Sequence, residues 1–377
     1  MQLLLYRLLT FISAPAALLI FLMRGDGLAR VWDRLGLGPG RKEKALWFHA
    51  ASVGEFRALK PLILRDWRVP VVVTVQSRQA FALASVEVPS TISVHAAPLD
   101  APILFSGFLD RIRPSALVLV ESELWPGWLK DLKQRGIPAV LLDGALSETS
   151  VRRWAGWSGL VRPMTQALRR ITVSSLQRKA AFEGLGFERV EMALPLKLAG
   201  KPLPVSEGLL ATWQTWKGQS PMIAFSNVHR SEITAIKGLV EGLQDAEKII
   251  IAPRYPEQIG AFKAAFGAPN ERLAYWTGFG TLGSLYALGG KVVIGGGFDA
   301  KIGSHNPLEA LRAGCQVVCG PHAGKQADVL GLLRDRGLVS QANEWPGTAS
   351  DVTALDDLAD EAVQQAISTV ESVLLQQ

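Results

Sequence analysis

At 377 residues the chain is too long for one small core and suits two domains of ordinary size, and 48% hydrophobic against 20% charged residues describes a globular protein with a large interior. Forty Lys and Arg against 34 Asp and Glu leave +6, which favours anionic partners such as phosphate or an acidic membrane surface; no nucleic-acid module accompanies the charge, so nucleic acid is not expected as a partner. The two cysteines, Cys315 and Cys319, lack the neighbouring His or Cys that a zinc site needs, and they exclude a disulfide framework; they read as buried small hydrophobes in a reducing, cytoplasmic setting.

Residues 2–23 carry one charge, Arg7, followed by 16 uncharged residues interrupted by Pro15. The segment is marginal as a full membrane crossing, and no cleavage site follows it, so it reads as an uncleaved anchor that spans the bilayer or lies in one leaflet. The alternative is a hydrophobic helix packed on the domain. Arg24, Arg30, Arg34, Arg41, Lys42 and Lys44 come next and hold the remainder on the cytoplasmic side. The eleven Trp against four Tyr also suit a boundary between an apolar and a wet phase.

From residue 45 to about 195, apolar runs alternate with helical periods. The expected strands are Ala45–Ala50, Val69–Val75, Ile92–Ala96, Ala116–Val120, Pro138–Leu142 and Ile171–Ser174. Strands alternating with helices imply crossovers and a parallel sheet. This first stretch reads as a Rossmann-like domain without a G-x-G-x-x-G, so a dinucleotide is not expected there. Residues 196–208 read as a linker on their prolines and glycines. The alternation then restarts with Met222–Ser226, Lys248–Ala252, Leu273–Trp276, Lys291–Gly295, Gln316–Gly320 and Leu338–Gln341, and residues 351–377 form a final polar-faced helix. Two such domains are expected to face each other across a cleft between the carboxyl edges of their sheets.

The stretch Leu46-Trp-Phe-His-Ala-Ala-Ser-Val-Gly-Glu55 runs from a buried strand through a break at Ser52-Val53-Gly54 into a helix opened by Glu55. Ser52 and Glu55 make a capping box, which explains both by helix chemistry alone. The same placement sets a carboxylate at the sheet edge where ligands bind, so Glu55 is equally a candidate general base, with a pKa expected to be held down by the helix end. Glu121 and Glu123 follow another apolar run and share a side-chain phase if the strand continues that far; one of them is expected to hold loop amides.

In the second half, Gly303-Ser-His-Asn-Pro-Leu-Glu-Ala-Leu-Arg-Ala-Gly314 reads as a helix capped by Asn306, with Pro307 in the first position and Glu309 in the third. After the run Gly295, Gly296, Gly297 such a helix also offers backbone amides to an anion, with Glu309 taking sugar hydroxyls. Arg254, between two prolines just past a strand, is either a phosphate-binding guanidinium or half of a surface ion pair. There is no D-x-D and no metal-spaced cluster, so neither a metal nor another cofactor is expected, and a nucleoside monophosphate leaving group suits a site with a single Arg.

Taken together, His49-Ala-Ala-Ser-Val-Gly-Glu55, Glu121-Ser-Glu-Leu-Trp-Pro126, Arg135-Gly-Ile-Pro138, Ala252-Pro-Arg254 and His305-Asn-Pro-Leu-Glu309 with Gly320-Pro-His322 resemble the 3-deoxy-D-manno-octulosonate (Kdo) transferase family. The match runs in order over most of the chain and includes Tyr6-Arg7 and Asp110-Arg-Ile-Arg-Pro114. The resemblance implies a GT-B fold of two Rossmann-like α/β domains: an anchor and basic segment over 1–44, an acceptor domain over 45–200, a donor domain over 201–350 and a C-terminal helix. It implies inverting, metal-independent transfer of Kdo from CMP-Kdo to a lipid A precursor, in lipopolysaccharide synthesis, at the cytoplasmic face of the inner membrane and against its anionic surface. The family's base falls on Glu55; its CMP-binding residues fall on Arg254, Asn306 and Glu309, with Ser226 and Gly295, Gly296 and Gly297 nearby. Ser52, Gly54, Glu121 and Glu123 would lie on the acceptor side.

Several donor-side positions depart from the family pattern. Ser-Thr-His-Glu-Gly-Glu-Glu of relatives is Ser226-Asn-Val-His-Arg-Ser-Glu232 here, so the His and acidic positions are shifted or lost; Ser284 replaces an acid, and Ala193-Leu-Pro-Leu-Lys-Leu-Ala199 keeps only Leu196 and Lys197 of its motif. A different activated sugar, a non-catalytic lipid-binding relative and a GT-B sugar-nucleotide epimerase are the other readings, the last having no use for an anchor.

Overall fold

The computed structural model describes residues 1–38, 40–278, 280–342 and 352–375. Two compact units emerge, one comprising Met1–Ala199 with the chain from Ala359 onward, the other Gly200–Leu358.

The first unit holds a seven-stranded parallel sheet. Its strands are β1 (Ala45–Ala50), β2 (Val71–Val75), β3 (Ser93–Ala96), β4 (Pro114–Val120), β5 (Ala139–Leu142), β6 (Leu168–Val173) and β7 (Val190–Met192), in the order β3-β2-β1-β4-β5-β6-β7. Runs such as VVVTV and PSALVLV show no polar alternation because both sheet faces are covered. On one face Trp47, Leu117 and Leu119 pack against Phe105, Phe108 and Trp128, while on the other Leu46, Phe48, Val118 and Val120 meet Phe56, Leu59 and Leu62. Each large side chain buried this way contributes roughly 1.5–3 kcal/mol. The final helix, Val352–Leu374, inserts Ala366, Ile367, Val370 and Val373 into the second of these clusters. Residues 351, 376 and 377 of the expected helix lie outside the described residues.

In the second unit β8 (Met222–Val228), β9 (Lys248–Pro253), β10 (Leu273–Tyr275), β11 (Lys291–Ile294), β12 (Gln316–Cys319) and β13 (Val339–Gln341) form a parallel sheet in the order β10-β9-β8-β11-β12-β13. In both sheets the order reverses beside the first strand, at β1/β4 and at β8/β11. A crevice opens at such a switch point outside the strands' carboxyl ends. The segment read as linker is not all free chain: Leu196–Ala199 forms a 3-10 turn with Leu196 and Leu198 buried.

The N-terminal helix, Gln2–Met23, is long and apolar enough to cross a membrane and passes through Pro15 unbroken. Leu3, Tyr6, Thr10, Ala14, Leu18 and Phe21, spaced three or four apart, are shielded, while Leu4, Leu8, Ile12 and Leu19 are exposed. That periodicity lays one stripe of the helix on the first unit along its whole length. Tyr6 donates to Asp100 at 2.6 Å, Arg7 pairs with Asp131, and the Arg34 guanidinium lies 3.6 Å from the centre of the Phe21 ring.

The basic segment after this helix needs correcting. Arg34, on the short helix Leu28–Arg34, is 1% exposed and bonds Asp26, Gln76 and the Ala97 carbonyl; Arg30 pairs with Asp26 at 3.1 Å. Both guanidiniums are spent on folding this region, so neither is left for a membrane.

Candidate active site

In the first unit the switch point gathers three carboxylates. β1 ends at Ala50, and the next helix, Val53–Ile63, starts two residues before the position expected from sequence. Ser52 caps it: its Oγ accepts from the Glu55 amide at 3.2 Å and donates to Glu55 Oε1 at 3.1 Å, while the Ala51 amide donates to Glu55 Oε2 at 2.5 Å. The Ser52 half of the expected capping box is present, but Glu55 accepts from the Ala51 amide and the Ser52 hydroxyl where a full box would take the Ser52 amide. A Cβ on Gly54 would meet only Ser52 Oγ, at 3.8 Å, which leaves open space over the cap.

Glu55 is 8% exposed, and the expectation of a depressed pKa is overturned. Burial raises it first; the Ala51 amide and Ser52 hydroxyl oppose that, and the charges of Glu123 and Glu121 add to it. The helix end is outweighed because the carboxylate is desolvated among two others. No cation pairs with it among the described residues.

Strand β4 stops at Val120, so Glu121 and Glu123 owe nothing to a shared strand phase. Glu121 turns the chain with φ +58°, a left-handed conformation costly for a residue with a Cβ, and is fixed by its amide on the Leu142 carbonyl and its carbonyl on the Ala145 amide. Glu123 holds a ring system and not loop amides: the Trp125 indole donates to it at 2.7 Å and His49 Nε2 stands 3.4 Å away. Burial alone would raise the Glu123 pKa, but the His49 and Trp125 contacts more than cancel this and hold it low. His49 is fully buried, edge-on to Trp125 and Trp128, with Nδ1 2.8 Å from the Thr74 hydroxyl that also accepts from Trp47.

The second unit's switch point carries a different chemistry. β8 bulges between Ser226 and Val228, with Asn227 at φ +58°, and delivers His229 beyond its end; β11 runs into Gly295, Gly296 and Gly297. Glycine is required there: a Cβ on Gly295 would sit 2.4 Å from the Asn227 carbonyl oxygen, and Gly296 has φ +82°. Glu232, 1% exposed, fastens the loop by accepting from the amides of His229 and Gly296 at 2.8 Å and Phe298 at 3.0 Å. It occupies the last acidic position of the motif that seemed lost in sequence.

These bonds revise the expected anion site. The Gly295 amide donates to the Ser226 carbonyl and the Gly296 amide to Glu232, leaving the Gly297 amide without a partner among the described residues. Ser226 is fully buried with its hydroxyl 2.8 Å from Tyr286, beneath the loop. Helix Leu308–Arg312 starts one residue later than expected, with Pro307 and not Asn306 at its N-cap; Asn306 lies one residue further out and accepts from the Leu308 amide at 3.1 Å, and Glu309 lies in the first turn. Arg254 follows β9, donates its amide to the Val228 carbonyl and rests 5.7 Å from the centre of the Tyr255 ring. No carboxylate pairs with it among the described residues, so the surface ion pair is absent there.

Sequence reasoning missed His229 paired with His305. Their Nε2 atoms meet at 2.7 Å beside Arg254, whose charge bears on both rings. His229 directly follows β8, but His305 lies 11 residues beyond β11 and is brought back to that strand's end by its amide on the Gly295 carbonyl, so no local pattern pairs them. Cys315 and Cys319 are buried and not joined in a disulfide, with thiols pushed up by burial to about 12 and about 11. Among the described residues no group of three or more His, Cys, Asp or Glu could hold a metal ion.

Residues 29–199 match the family model described as "3-Deoxy-D-manno-octulosonic-acid transferase (kdotransferase)". The chain is 26% identical to a 3-deoxy-D-manno-octulosonic acid transferase of Chlamydophila psittaci over 80% of its length and 74% of that protein's. It is 25% identical to the Rickettsia bellii protein of the same name, over 89% and 86%. Among solved structures, the UDP-GlcNAc 2-epimerase of Neisseria meningitidis bound to UDP-GlcNAc aligns over 89% of this chain and all of that one, with TM-score 0.54 and 9% identity. That likeness establishes the fold alone: two parallel-sheet α/β domains of the GT-B class.

Proposed function

We propose that this chain, whose residues 29–199 match the Kdo transferase family model, moves Kdo from CMP-Kdo to a hydroxyl of a lipid A precursor, inverting the anomeric carbon, without a metal, at the cytoplasmic face of the inner membrane. The acceptor oxygen forms a bond to the anomeric carbon while the bond from that carbon to the CMP phosphate breaks. The acceptor's proton passes to Glu55, and CMP leaves with the electron pair.

The observation that carries this reading is the state of Glu55: a carboxylate with a raised pKa and no cationic partner among the described residues, at the carboxyl edge of the sheet where its order reverses. Such a group accepts a proton better than an ordinary glutamate. Ser52 orients it, the open surface over Gly54 admits the acceptor, and Glu121 and Glu123 line that side. In the second unit Arg254 and the Gly297 amide take the phosphate, Asn306 and Glu309 hold the nucleoside, and Ser226, Gly295 and Gly296 keep the loop in place from below. One guanidinium with few amides suits a monophosphate better than a diphosphate leaving group.

The direct test is the mass of the lipid formed from purified protein, a lipid A precursor and CMP-Kdo generated in place. Gain of one or more Kdo masses is expected; an unchanged precursor overturns the reading. A second reading, a different activated sugar, is favoured by His229 and Ser284, which stand where relatives carry acids. Melting shifts with CMP, UDP and ADP separate the two, because only a matched nucleotide stabilises the fold appreciably.

A further inference from the structure

The apolar N-terminal helix is held to the first unit near both ends, by Tyr6 on Asp100 and Arg7 on Asp131 at one and by Phe21 under Arg34 at the other. Between these points its shielded stripe is continuous, and the opposite face, with Leu4, Leu8, Ile12 and Leu19, is bare. A rod fastened along its length to one folded body does not cross a bilayer on its own axis. At about 33 Å long it fits lying in the plane of one leaflet, apolar face down.

Beside its first turn, between helices Pro126–Gln134 and Ser158–Ala167, lies a surface pocket of about 480 Å³ lined by Leu3, Lys130, Lys133, Arg162, Pro163 and Gln166, among others. No acid lines it. Asp131, 3.7 Å from Lys130, is already paired with Arg7, and Lys130 and Lys133 are steadied by the side-chain carbonyls of Gln134 and Gln166. Arg162 is exposed and has no ion pair among the described residues. Trp157, 42% exposed, precedes the second of the two helices, and Trp suits an interface. Three cations around a cavity, level with one end of a bare apolar helix, complement a phosphate at headgroup depth.

We propose that this pocket binds the phosphate headgroup of an anionic lipid, while the N-terminal helix lies in the same leaflet. The proposal rests on the membrane part of the preceding reading and is independent of Kdo transfer.

Full-length protein is tested for binding to phosphatidylcholine vesicles with and without phosphatidylglycerol. Wild type is expected to prefer the anionic vesicles. Lys133→Gln and Arg162→Gln are each expected to lose about fivefold of that preference. Arg189→Gln, which removes an equal charge from outside the pocket lining, is expected to keep it. All variants should bind zwitterionic vesicles as wild type does, through the helix. Equal losses in all three variants would show diffuse charge attraction and overturn the pocket, as would no loss in Lys133→Gln and Arg162→Gln. Failure of wild type to bind either vesicle would overturn the pocket and the membrane reading together. Absence of Kdo transfer with the lipid preference intact would leave this site standing.

Discussion

The Nε2 atoms of His229 and His305 lie 2.7 Å apart, with rings 14° from parallel and centroids 5.0 Å apart. That contact has room for one hydrogen, so one nitrogen donates and the other accepts. The accepting ring is neutral, and a second proton would set N–H against N–H next to Arg254. Burial, the His229 ring and Arg254 accordingly hold His305 down to about 4. His229 is also lowered, by burial first, against the opposing pull of Glu232.

Histidines depressed on folding make stability depend on pH. The unfolded chain binds the extra protons, so the pair's contribution is fully present above about pH 6.5 and is lost as pH falls toward about 4. Calorimetry should show the melting temperature falling through this window. His305→Gln should flatten the dependence there.

The proposed base, Glu55, works only when ionised, and its pKa is raised, so kcat/KM should climb with pH through a value above that of an ordinary glutamate. Glu121 contributes to that elevation by its charge. Glu121→Gln should therefore lower the Glu55 pKa and move the acid limb of the profile to lower pH, which a pH series of kcat/KM will register.

Arg254 forms no ion pair among the described residues, so its removal should leave the unliganded protein's stability unchanged. Arg254→Ala should nevertheless weaken CMP binding about 10- to 100-fold, from loss of a charged hydrogen bond worth roughly 1.5–3 kcal/mol. Titration calorimetry against CMP, beside a melting curve of each protein alone, separates the two effects.

Glu232 receives three amides through two buried oxygens. In Glu232→Gln one oxygen becomes an NH2 group facing an N–H donor, and the glycine loop loses an anchor. The expected cost is about 2–3 kcal/mol, read from the denaturant midpoint.

Much of this architecture is legible in the chain itself. Twelve of the strands lie within a few residues of the apolar runs, because a parallel strand buried on both faces has to be written as such a run. β7 escapes since only Val190 of its three residues is buried. Arg34 misleads for the opposite reason: composition records a cation beside an apolar helix, and only the fold shows Asp26 neutralising it. At the site, Ser52, Glu55, Glu121 and Glu123 are visible one by one. Their effect on each other is not, because the β1/β4 pairing that brings them together joins segments about 70 residues apart. Glu232 and the histidine pair stay hidden because the β8 bulge and the sheet order, and not local sequence, decide what they touch.

The most direct measurement compares wild type with Glu55→Gln for the mass of the lipid A precursor after incubation with CMP-Kdo, with the CMP-induced melting shift recorded for both. Wild type should add Kdo, and Glu55→Gln should fall by about 10²–10⁴-fold or to nothing while keeping the full CMP shift. Kdo addition by Glu55→Gln at the wild-type rate would contradict the assignment of the base.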